Sequence, residues 1–380
     1  MLTPRARRAL WWVVIVVVAL LALKTFVLDI YPVSSSSMEP TLHRGEWVLV
    51  WYGGGRPERG EVVVVRHGGD VLVKRACGIG GPGGERLTVD PAGDIWINGE
   101  RARGAAGSGP RVGIFDLEHQ RPGEFFEGLG EHAPGWRETP DGALDVGTQA
   151  GGEYSSALRY QRILRDGYIG LNGQVNEGDV SVHDLVLDLR LGVLARRGMF
   201  VLAVTEQGDR FELQIQMDGP GPLEVRLVRV TPEAEIELGR GVAPLQSNGD
   251  ADLLVHLSNV DNRVEGRVGS LTLNHTYDRN SFQPGDEERV GLSLGSRLQL
   301  AATNAHVRVR DLRIARDVQF RPRGLLGPGG VQVGPGEIFL LGDHSANSLD
   351  SRDFGSLPEE AVIGRPLFAI WPLRAMRYLR

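Results

Sequence analysis

Apolar and polar residues alternate with a period of two over much of the chain, which is typical of β-strands. Residues 46–52, 62–66 and 71–79 are predicted strands, because each run is short, rich in Val, Leu, Ile or Trp, and followed within two residues by Gly. Residues 87–98 predict a hairpin that turns at the Asp-Pro-Ala-Gly-Asp stretch of residues 90–94. The first part of the chain is therefore expected to be mainly β.

The middle of the chain repeats the strand pattern about every 10–15 residues. Leu187, Leu189 and Leu191 alternate with polar residues, and the pattern recurs in residues 211–217, 223–227, 253–257, 292–294 and 307–309. No convincing amphipathic helix interrupts these runs. We therefore predict an antiparallel β-sandwich inserted into the chain. Its strand spacing resembles that of concanavalin-like jelly rolls, which often bind sugars or proteins, and a sandwich that only shapes access is the alternative.

The N-terminus has the pattern of a membrane anchor. Arg5, Arg7 and Arg8 precede an uncharged apolar run at residues 9–23, and residues 25–33 are again mostly apolar. This length predicts a single transmembrane helix, and the arginines predict a cytoplasmic N-terminus. A cleavable secretory signal would need small residues after the apolar core, where this chain has Lys24 and Phe26. We therefore expect an uncleaved anchor in the cytoplasmic (inner) membrane, in contact with lipid, and an exported remainder.

Composition narrows the function classes. The net charge of −6 argues against a nucleic-acid partner. A single cysteine, Cys77, excludes an internal disulfide framework, and it is best interpreted as a small buried residue of a strand. The nine histidines show no metal-binding spacing. We expect neither a metal nor another cofactor.

Two stretches carry candidate chemistry. Ser37 ends a run of four serines and precedes Met-Glu-Pro, whose proline restricts the local backbone and could hold a nucleophile at a defined angle. Lys74 shares a strand face with Leu72 and Ala76, so that desolvation would lower its pKa and make it a base near neutral pH. The alternatives are an ordinary serine-rich juxtamembrane linker and a strand-edge lysine that points to water.

A third stretch favours the catalytic interpretation of Ser37 and Lys74 over these alternatives. Residues 342–355 read Gly-Asp-His-Ser-Ala-Asn-Ser-Leu-Asp-Ser-Arg-Asp-Phe-Gly. With the serine stretch, the segment 70–78 and the preceding anchor, it resembles the boxes of type I signal peptidases, which are membrane-anchored Ser–Lys peptidases (the S26 family). The resemblance covers about residues 1–103 and 331–380.

The resemblance implies a role for each matching residue. It implies that Ser37 is the nucleophile, that Lys74 is the general base, and that the Ser35 hydroxyl and the Ser37 backbone N–H form the oxyanion hole. Ser348 would orient the lysine. The structural brace beneath the site would consist of Arg75, Asp343, Asp350 and Arg352. The chain departs from the family at His344, Ser345 and Ala346, which puts local bracing and substrate preference in doubt and leaves His344 as an alternative base.

We therefore expect four regions: a cytoplasmic N-terminus and anchor at 1–33, two segments of one catalytic domain at 34–103 and 331–380, and an inserted sandwich with linkers at 104–330. The Gly/Ala/Ser-rich residues 104–121 and the Gly/Pro-rich residues 320–335 are interpreted as the entry and exit linkers. The expected function is removal of signal peptides from exported pre-proteins at the outer face of the membrane. Two alternatives are a self-processing Ser–Lys peptidase and a catalytically inactive anchored protein. In the second, the sandwich would bind a protein or carbohydrate ligand.

Overall fold

The computed structural model describes residues 11–15, 18, 24, 27–53, 55–90, 93–102, 111–130, 135–147, 153–162, 164–170, 174–176, 178–179, 182, 184–206, 209–219, 221–231, 233–244, 252–277, 298–327 and 329–379. The chain divides into two compact units. The first comprises Met1–Pro110 and Val318–Arg380, and we call it the split unit. The second, Arg111–Asp317, we call the inserted unit.

The first segment of the split unit consists of strands joined by short turns. They are β1 (Leu28–Pro32), β2 (Trp47–Trp51), β3 (Val62–His67), β4 (Asp70–Ile79), β5 (Glu85–Val89), β6 (Ile95–Ile97) and β7 (Glu100–Arg101). The strands predicted at 46–52, 62–66 and 71–79 and the hairpin at 87–98 are confirmed.

The inserted unit is also built from strands. They are β8 (Val112–Asp116), β9 (Phe126–Glu127), β10 (Trp136–Glu138), β11 (Leu144–Val146), β12 (Ser155–Tyr160), β13 (Tyr168–Ile169), β14 (Val175–Asn176), β15 (Leu185–Ala195), β16 (Met199–Glu206), β17 (Asp209–Gln216), β18 (Leu223–Val230), β19 (Glu235–Ala243), β20 (Leu253–Val260), β21 (Arg263–Val268), β22 (Leu271–Thr276), β23 (Leu298–Thr303) and β24 (His306–Arg316). A 3₁₀ turn spans Pro122–Glu124.

The second segment completes the split unit. Its strands are β25 (Val331–Val333), β26 (Glu337–Leu341), β27 (Leu357–Pro358), β28 (Val362–Trp371) and β29 (Arg377–Tyr378). A short helix, α1, spans Ser351–Phe354, and 3₁₀ turns span Ser345–Asn347, Glu359–Ala361 and Leu373–Ala375.

Both segments of the split unit contribute to the same sheets. The larger sheet has the order β1-β2-β28-β3-β4-β26-β27, with β29 paired to β28, and the smaller has the order β25-β5-β6-β7. Strand β4 therefore lies between β3 of its own segment and β26 of the other. This order brings residues that are far apart in sequence next to β4.

Two large sheets of the inserted unit enclose one apolar core. One has the order β10-β11-β24-β15-β20-β21-β22 with β8 paired to β24, and the other has the order β19-β18-β17-β16-β23-β12-β9. Leu187 and Val309 of the first sheet and Phe200 and Leu213 of the second belong to the same buried cluster. The predicted sandwich is therefore present. The run predicted at 292–294 lies outside the described residues.

Two stretches interpreted as linkers contain ordered strands. Val112–Asp116 was placed in the entry linker but pairs with β24, because Val112 and Phe115 are apolar side chains that the sandwich buries. Val331–Val333 was placed in the exit stretch but pairs with β5. In the inserted unit, Val112 is the register partner of Arg316, so the two chain ends of this unit lie side by side.

The anchor prediction extended too far along the chain. Residues 28–32, assigned to the anchor, form strand β1, whose residues pair with Trp47–Trp51. Most of the core of the predicted anchor, residues 9–23, lies outside the described residues. The residues of this stretch that the structure describes, 11–15 and 18, are helical. Within the part of the chain that the structure describes, no helix has the length and apolar character needed to cross a membrane.

Candidate active site

Three separate segments bring a serine, a lysine and a second serine together. Ser37 lies in the loop after β1, Lys74 on β4, and Ser348 in the loop after β26. The amine Nζ of Lys74 lies 2.7 Å from Ser37 Oγ and 3.1 Å from Ser348 Oγ. All three residues are buried, and Lys74 is only 2% exposed. The structure thus places the amine of the predicted base in contact with both the predicted nucleophile and the predicted lysine-orienting serine.

The apolar face of β4 determines the electrostatics of the lysine. Lys74 is paired across the sheet with Val63, which packs with Ala76 in one buried cluster. Burial lowers the pKa of Lys74 from 10.5 to about 8, although the charges of Asp350, Asp343 and Asp353 oppose the shift. The shift corresponds to about 3 kcal/mol of stabilisation of the neutral amine. A lysine in this state can accept a proton near neutral pH.

A buried chain of hydrogen bonds fixes Ser348. Its hydroxyl bonds to the carboxylate of Asp350 and accepts from the Lys74 amine. Arg352 binds Asp350 through two nitrogens, at 2.8 and 2.6 Å. Burial alone would raise the pKa of Asp350, but the hydrogen bonds and charge of Arg352 outweigh it and hold this pKa below its ordinary value. Asp350 therefore stays ionised and keeps the Ser348 hydroxyl pointed away from the lysine.

The other two predicted brace residues form a separate ion pair. Arg75 follows Lys74 on β4 and binds Asp343 through Nε at 2.7 Å and Nη2 at 2.6 Å. The Thr41 hydroxyl, four residues after the nucleophile, donates to the same carboxylate. The prediction grouped four residues in one brace, whereas the structure has one pair beside the Ser37 loop and another beneath Ser348.

Gly342 allows the loops to approach each other. A Cβ atom at this position would overlap Ser348 Oγ and crowd the carbonyl oxygen of Ser37. Its backbone N–H donates to Asp350 at 3.0 Å. Gly342 belongs to the 342–355 stretch but has no predicted role, because the need for a residue without a side chain appears only when the two loops are placed together.

The serine loop is held from both sides. Ser35 Oγ lies 3.1 Å from Ser37 Oγ. The backbone N–H of His344 donates to the Ser37 carbonyl at 3.1 Å, and Asn347 donates to the Ser36 hydroxyl at 2.9 Å. The ring atom Nδ1 of His344 lies 3.3 Å from the Ser36 carbonyl oxygen. His344 thus contacts the nucleophile loop through its backbone and its ring, and Asn347, a residue of the 342–355 stretch with no predicted role, contacts this loop through its side chain.

One group of candidate metal ligands lies in the inserted unit. Ligand atoms of Asp116, Glu118 and His119 lie within 4.8 Å of one another. Both carboxylates also pair with Arg313, at 3.3 and 3.6 Å. Glu118 and His119 are exposed, so we interpret this group as a surface cluster of ion pairs and do not propose that it binds a metal.

About half of the sequence matches a known family. The family model described as signal peptidase, peptidase S26 matches residues 6–115 and 288–371, about half of the chain. The chain belongs to this family, as the sequence analysis predicted.

Individual relatives match over shorter stretches. Human mitochondrial inner membrane protease subunit 1 is 44% identical over 45 residues, which cover 12% of this chain and 27% of the relative. Thylakoidal processing peptidase 1, chloroplastic, of Arabidopsis thaliana is 33% identical over 79 residues, covering 19% and 23%. The chain thus spans about a quarter of the length of these relatives. A Bacillus subtilis protein of unknown function with a galectin-like fold is 10% identical to this chain, and the match covers 56% of this chain and 99% of that protein with a TM-score of 0.36.

Proposed function

We propose that this chain is a signal peptidase-like serine endopeptidase that uses Ser37 and Lys74 to remove N-terminal signal peptides from exported pre-proteins. The observation that carries the proposal is the buried Lys74 amine, 2.7 Å from Ser37 Oγ and with a pKa lowered to about 8. A hydroxyl becomes a nucleophile when an adjacent base can take its proton.

The proposed reaction proceeds through an acyl-enzyme. Neutral Lys74 takes the proton of Ser37 as Oγ attacks the scissile carbonyl carbon. The protonated amine returns this proton to the leaving amine when the peptide bond breaks, and neutral Lys74 then activates the water that hydrolyses the ester. Ser348 accepts a hydrogen bond from Lys74 throughout, which leaves the amine lone pair directed at Ser37.

The oxyanion of the tetrahedral intermediate needs donors beside the nucleophile. We assign these to the backbone N–H of Ser37 and the hydroxyl of Ser35. The 3.1 Å separation of the two Oγ atoms supports this assignment, because it places the Ser35 donor next to the forming bond.

The scarcity of lysine in the chain supports the choice of base. Among 42 lysines and arginines, the only lysines are Lys24 and Lys74. Arginine cannot lose its proton in a protein, whereas a buried lysine can. One of the two lysines of the chain therefore lies in contact with Ser37, where an arginine could not act as a base.

We also propose that the protein is associated with a membrane. One face of the larger sheet carries a cross-strand row of half-buried or exposed apolar residues, and Trp47 is paired with Trp371 beside it. The row consists of Ile30, Leu49, Phe368 and Tyr378. Aromatic side chains of this kind favour the membrane–water interface. We propose that this face contacts lipid and that the predicted anchor holds the unit at the exported side of the cytoplasmic membrane, with the N-terminus cytoplasmic.

The inserted unit is proposed to select which substrates approach, or to bind a protein or carbohydrate ligand. Its separate core supports a function that does not require the catalytic residues.

The proposed function is tested by incubating purified full-length protein with a pre-protein. Wild-type protein should release a mature chain with a new N-terminus after the signal peptide, and Ser37→Ala should release none. Lys74→Arg should also be inactive, because the guanidinium keeps its proton. Cleavage by the Ser37→Ala protein would show that another group is the nucleophile.

A further inference from the structure

A segment that the sequence analysis assigned to a linker holds the loop of Ser348. We call residues 320–326, which begin three residues after the inserted unit ends, the strap. Its ends are anchored by the buried side chains of Phe320 and Leu326, which are 1% and 0% exposed. Between them the backbone turns at Gly324, which has φ +54° and where a Cβ atom would overlap the carbonyl oxygen of Arg352. The strap is therefore a packed part of the split unit.

Ser345 attaches the strap at one point. The backbone N–H of Arg321 donates to Ser345 Oγ at 2.7 Å, and Arg352 Nη1 donates to the same oxygen at 2.7 Å and to the Arg321 carbonyl at 3.0 Å. Ser345 is 5% exposed. This serine is one of the positions at which the chain departs from the resembling family. In this chain it joins the strap to the arginine that binds Asp350.

Arg323 attaches the strap at a second point, on the lysine-orienting residue itself. Its Nη2 atom donates to the backbone carbonyl of Ser348 and to Asp353 Oδ2 at 2.9 Å. Asp353 in turn accepts from the backbone N–H of Asp350 at 3.1 Å, and the Leu325 N–H donates to the Arg352 carbonyl at 2.8 Å. A bond to the Ser348 carbonyl fixes the backbone from which the Ser348 hydroxyl projects toward Lys74.

We propose that the strap is a positioning element of the catalytic centre and that Arg323 is a positioning residue, which acts through Ser348 to hold the Lys74 amine against Ser37. This inference rests on the proposed function for its kinetic consequence, but the placement of Lys74 that it describes can be measured without a substrate. When the strap contact is lost, the Ser348 loop moves away, and both the orientation and the desolvation of Lys74 are reduced.

Two signatures follow. Arg323→Met should lower kcat about tenfold with KM unchanged, because misplacing a catalytic group affects the reaction and not the binding of a distant part of the substrate. The pKa of Lys74 should also rise from about 8 toward 10.5, because water regains access to the amine. The loss of kcat/KM should therefore be larger at pH 7 than at pH 9.5. The charged groups that act on Lys74 (Asp350, Asp343, Arg352 and Asp353) remain in this variant.

The chain permits a direct measurement. Because its only lysines are Lys24 and Lys74, a Lys24→Arg protein labelled with ¹³C-lysine gives one lysine side-chain signal in NMR spectra. This signal is titrated in the detergent-solubilised full chain, with and without Arg323→Met. Arg66→Met, at an exposed position of β3, is the matched control and should leave both kcat and the titration unchanged. Arg323→Lys, which keeps a cation for Asp353, should recover part of kcat.

Unchanged kcat and an unchanged Lys74 titration in folded Arg323→Met protein would overturn the proposal. If this variant does not fold by circular dichroism, Ser345→Ala detaches the strap at its other point, and the same two measurements decide. The two proposals can fail separately. If the wild-type protein cleaves no pre-protein but Arg323→Met still shifts the Lys74 titration, the proposed function is refuted and the positioning role of the strap is supported.

Discussion

The two units differ in the size of their apolar cores and in the lysine that the split unit buries. Among the described residues, the inserted unit has one apolar core of forty buried side chains, to which both of its large sheets contribute. In the split unit, the buried clusters on the two faces of β3 hold eight and six residues. Ionisable residues are buried in both units, but among the described residues the only buried lysine is Lys74 of the split unit. A core made of apolar contacts serves stability, whereas a core interrupted by a partly neutralised lysine loses stability and gains a base. The comparison predicts opposite responses to substitution in the two units.

The largest effect is expected in the inserted unit. Phe200 is fully buried on β16, with its ring 6.4 Å from that of Trp136. Phe200→Ala should reduce the free energy of unfolding of this unit by about 3–5 kcal/mol, because it leaves a cavity. Urea unfolding measures this, with Val242→Ala, at an exposed position of β19, as the control. The kcat/KM for a short signal-peptide substrate should not change, and a parallel loss of activity would mean that the two cores are coupled.

The next effect is catalytic and should leave stability unaffected. Ser35→Ala should lower kcat by about 10²–10³ with little change in KM, because it removes a donor that matters only once the oxyanion forms. Ser34→Ala, at the exposed neighbouring position, is the control. Steady-state kinetics separate the two parameters. A change confined to KM would show that Ser35 contacts bound substrate and is not an oxyanion donor.

Removing the buried lysine should stabilise the split unit. The folded-state pKa of Lys74 is lowered from 10.5 to about 8, so the unfolded chain binds more protons between these values and the free energy of unfolding rises with pH across this window. Below pH 8 the buried amine costs about 3 kcal/mol. Lys74→Met should be inactive, more stable than wild type by up to this amount at pH 7, and nearly equal to wild type above pH 10.5.

Urea unfolding at pH 7 and at pH 10.5 measures this difference, with Arg66→Met as the control. A Lys74→Met protein that is less stable than wild type at pH 7 would contradict the assigned cost of burial. The same pKa predicts that kcat/KM of the wild-type enzyme rises with pH and levels off above about 8.

The smallest effect is expected when the whole inserted unit is removed. Val112 and Arg316 are register partners, so a short Gly/Ser loop can replace residues 111–317. This form should fold and cleave a short signal-peptide substrate with unchanged kcat/KM, while cleavage of full-length pre-proteins reveals any selection by the sandwich. A deletion that extends to residue 326 removes the strap and should be inactive. Loss of short-peptide cleavage in the first, folded form would show that the inserted unit supplies part of the site.

The sequence alone was enough for the mainly β character, the family and the identity of the candidate nucleophile and base. A strand of period two places Lys74 between Leu72 and Ala76 whatever lies around it, and the order of the boxes is a property of the chain. Local patterns of this kind can be read from the sequence because they depend on neighbouring residues only.

The tertiary structure alone decided which groups meet. Sheet order places β26 beside β4, and this pairs Arg75 with Asp343 across 268 residues and sets Ser348 against Lys74 across 274. The strap was mistaken for a linker because it belongs to the Gly/Pro-rich stretch 320–335 and has no strand period, although backbone hydrogen bonds to Ser345 and Arg352 hold it in place. Such contacts join residues distant in sequence, so no local pattern records them.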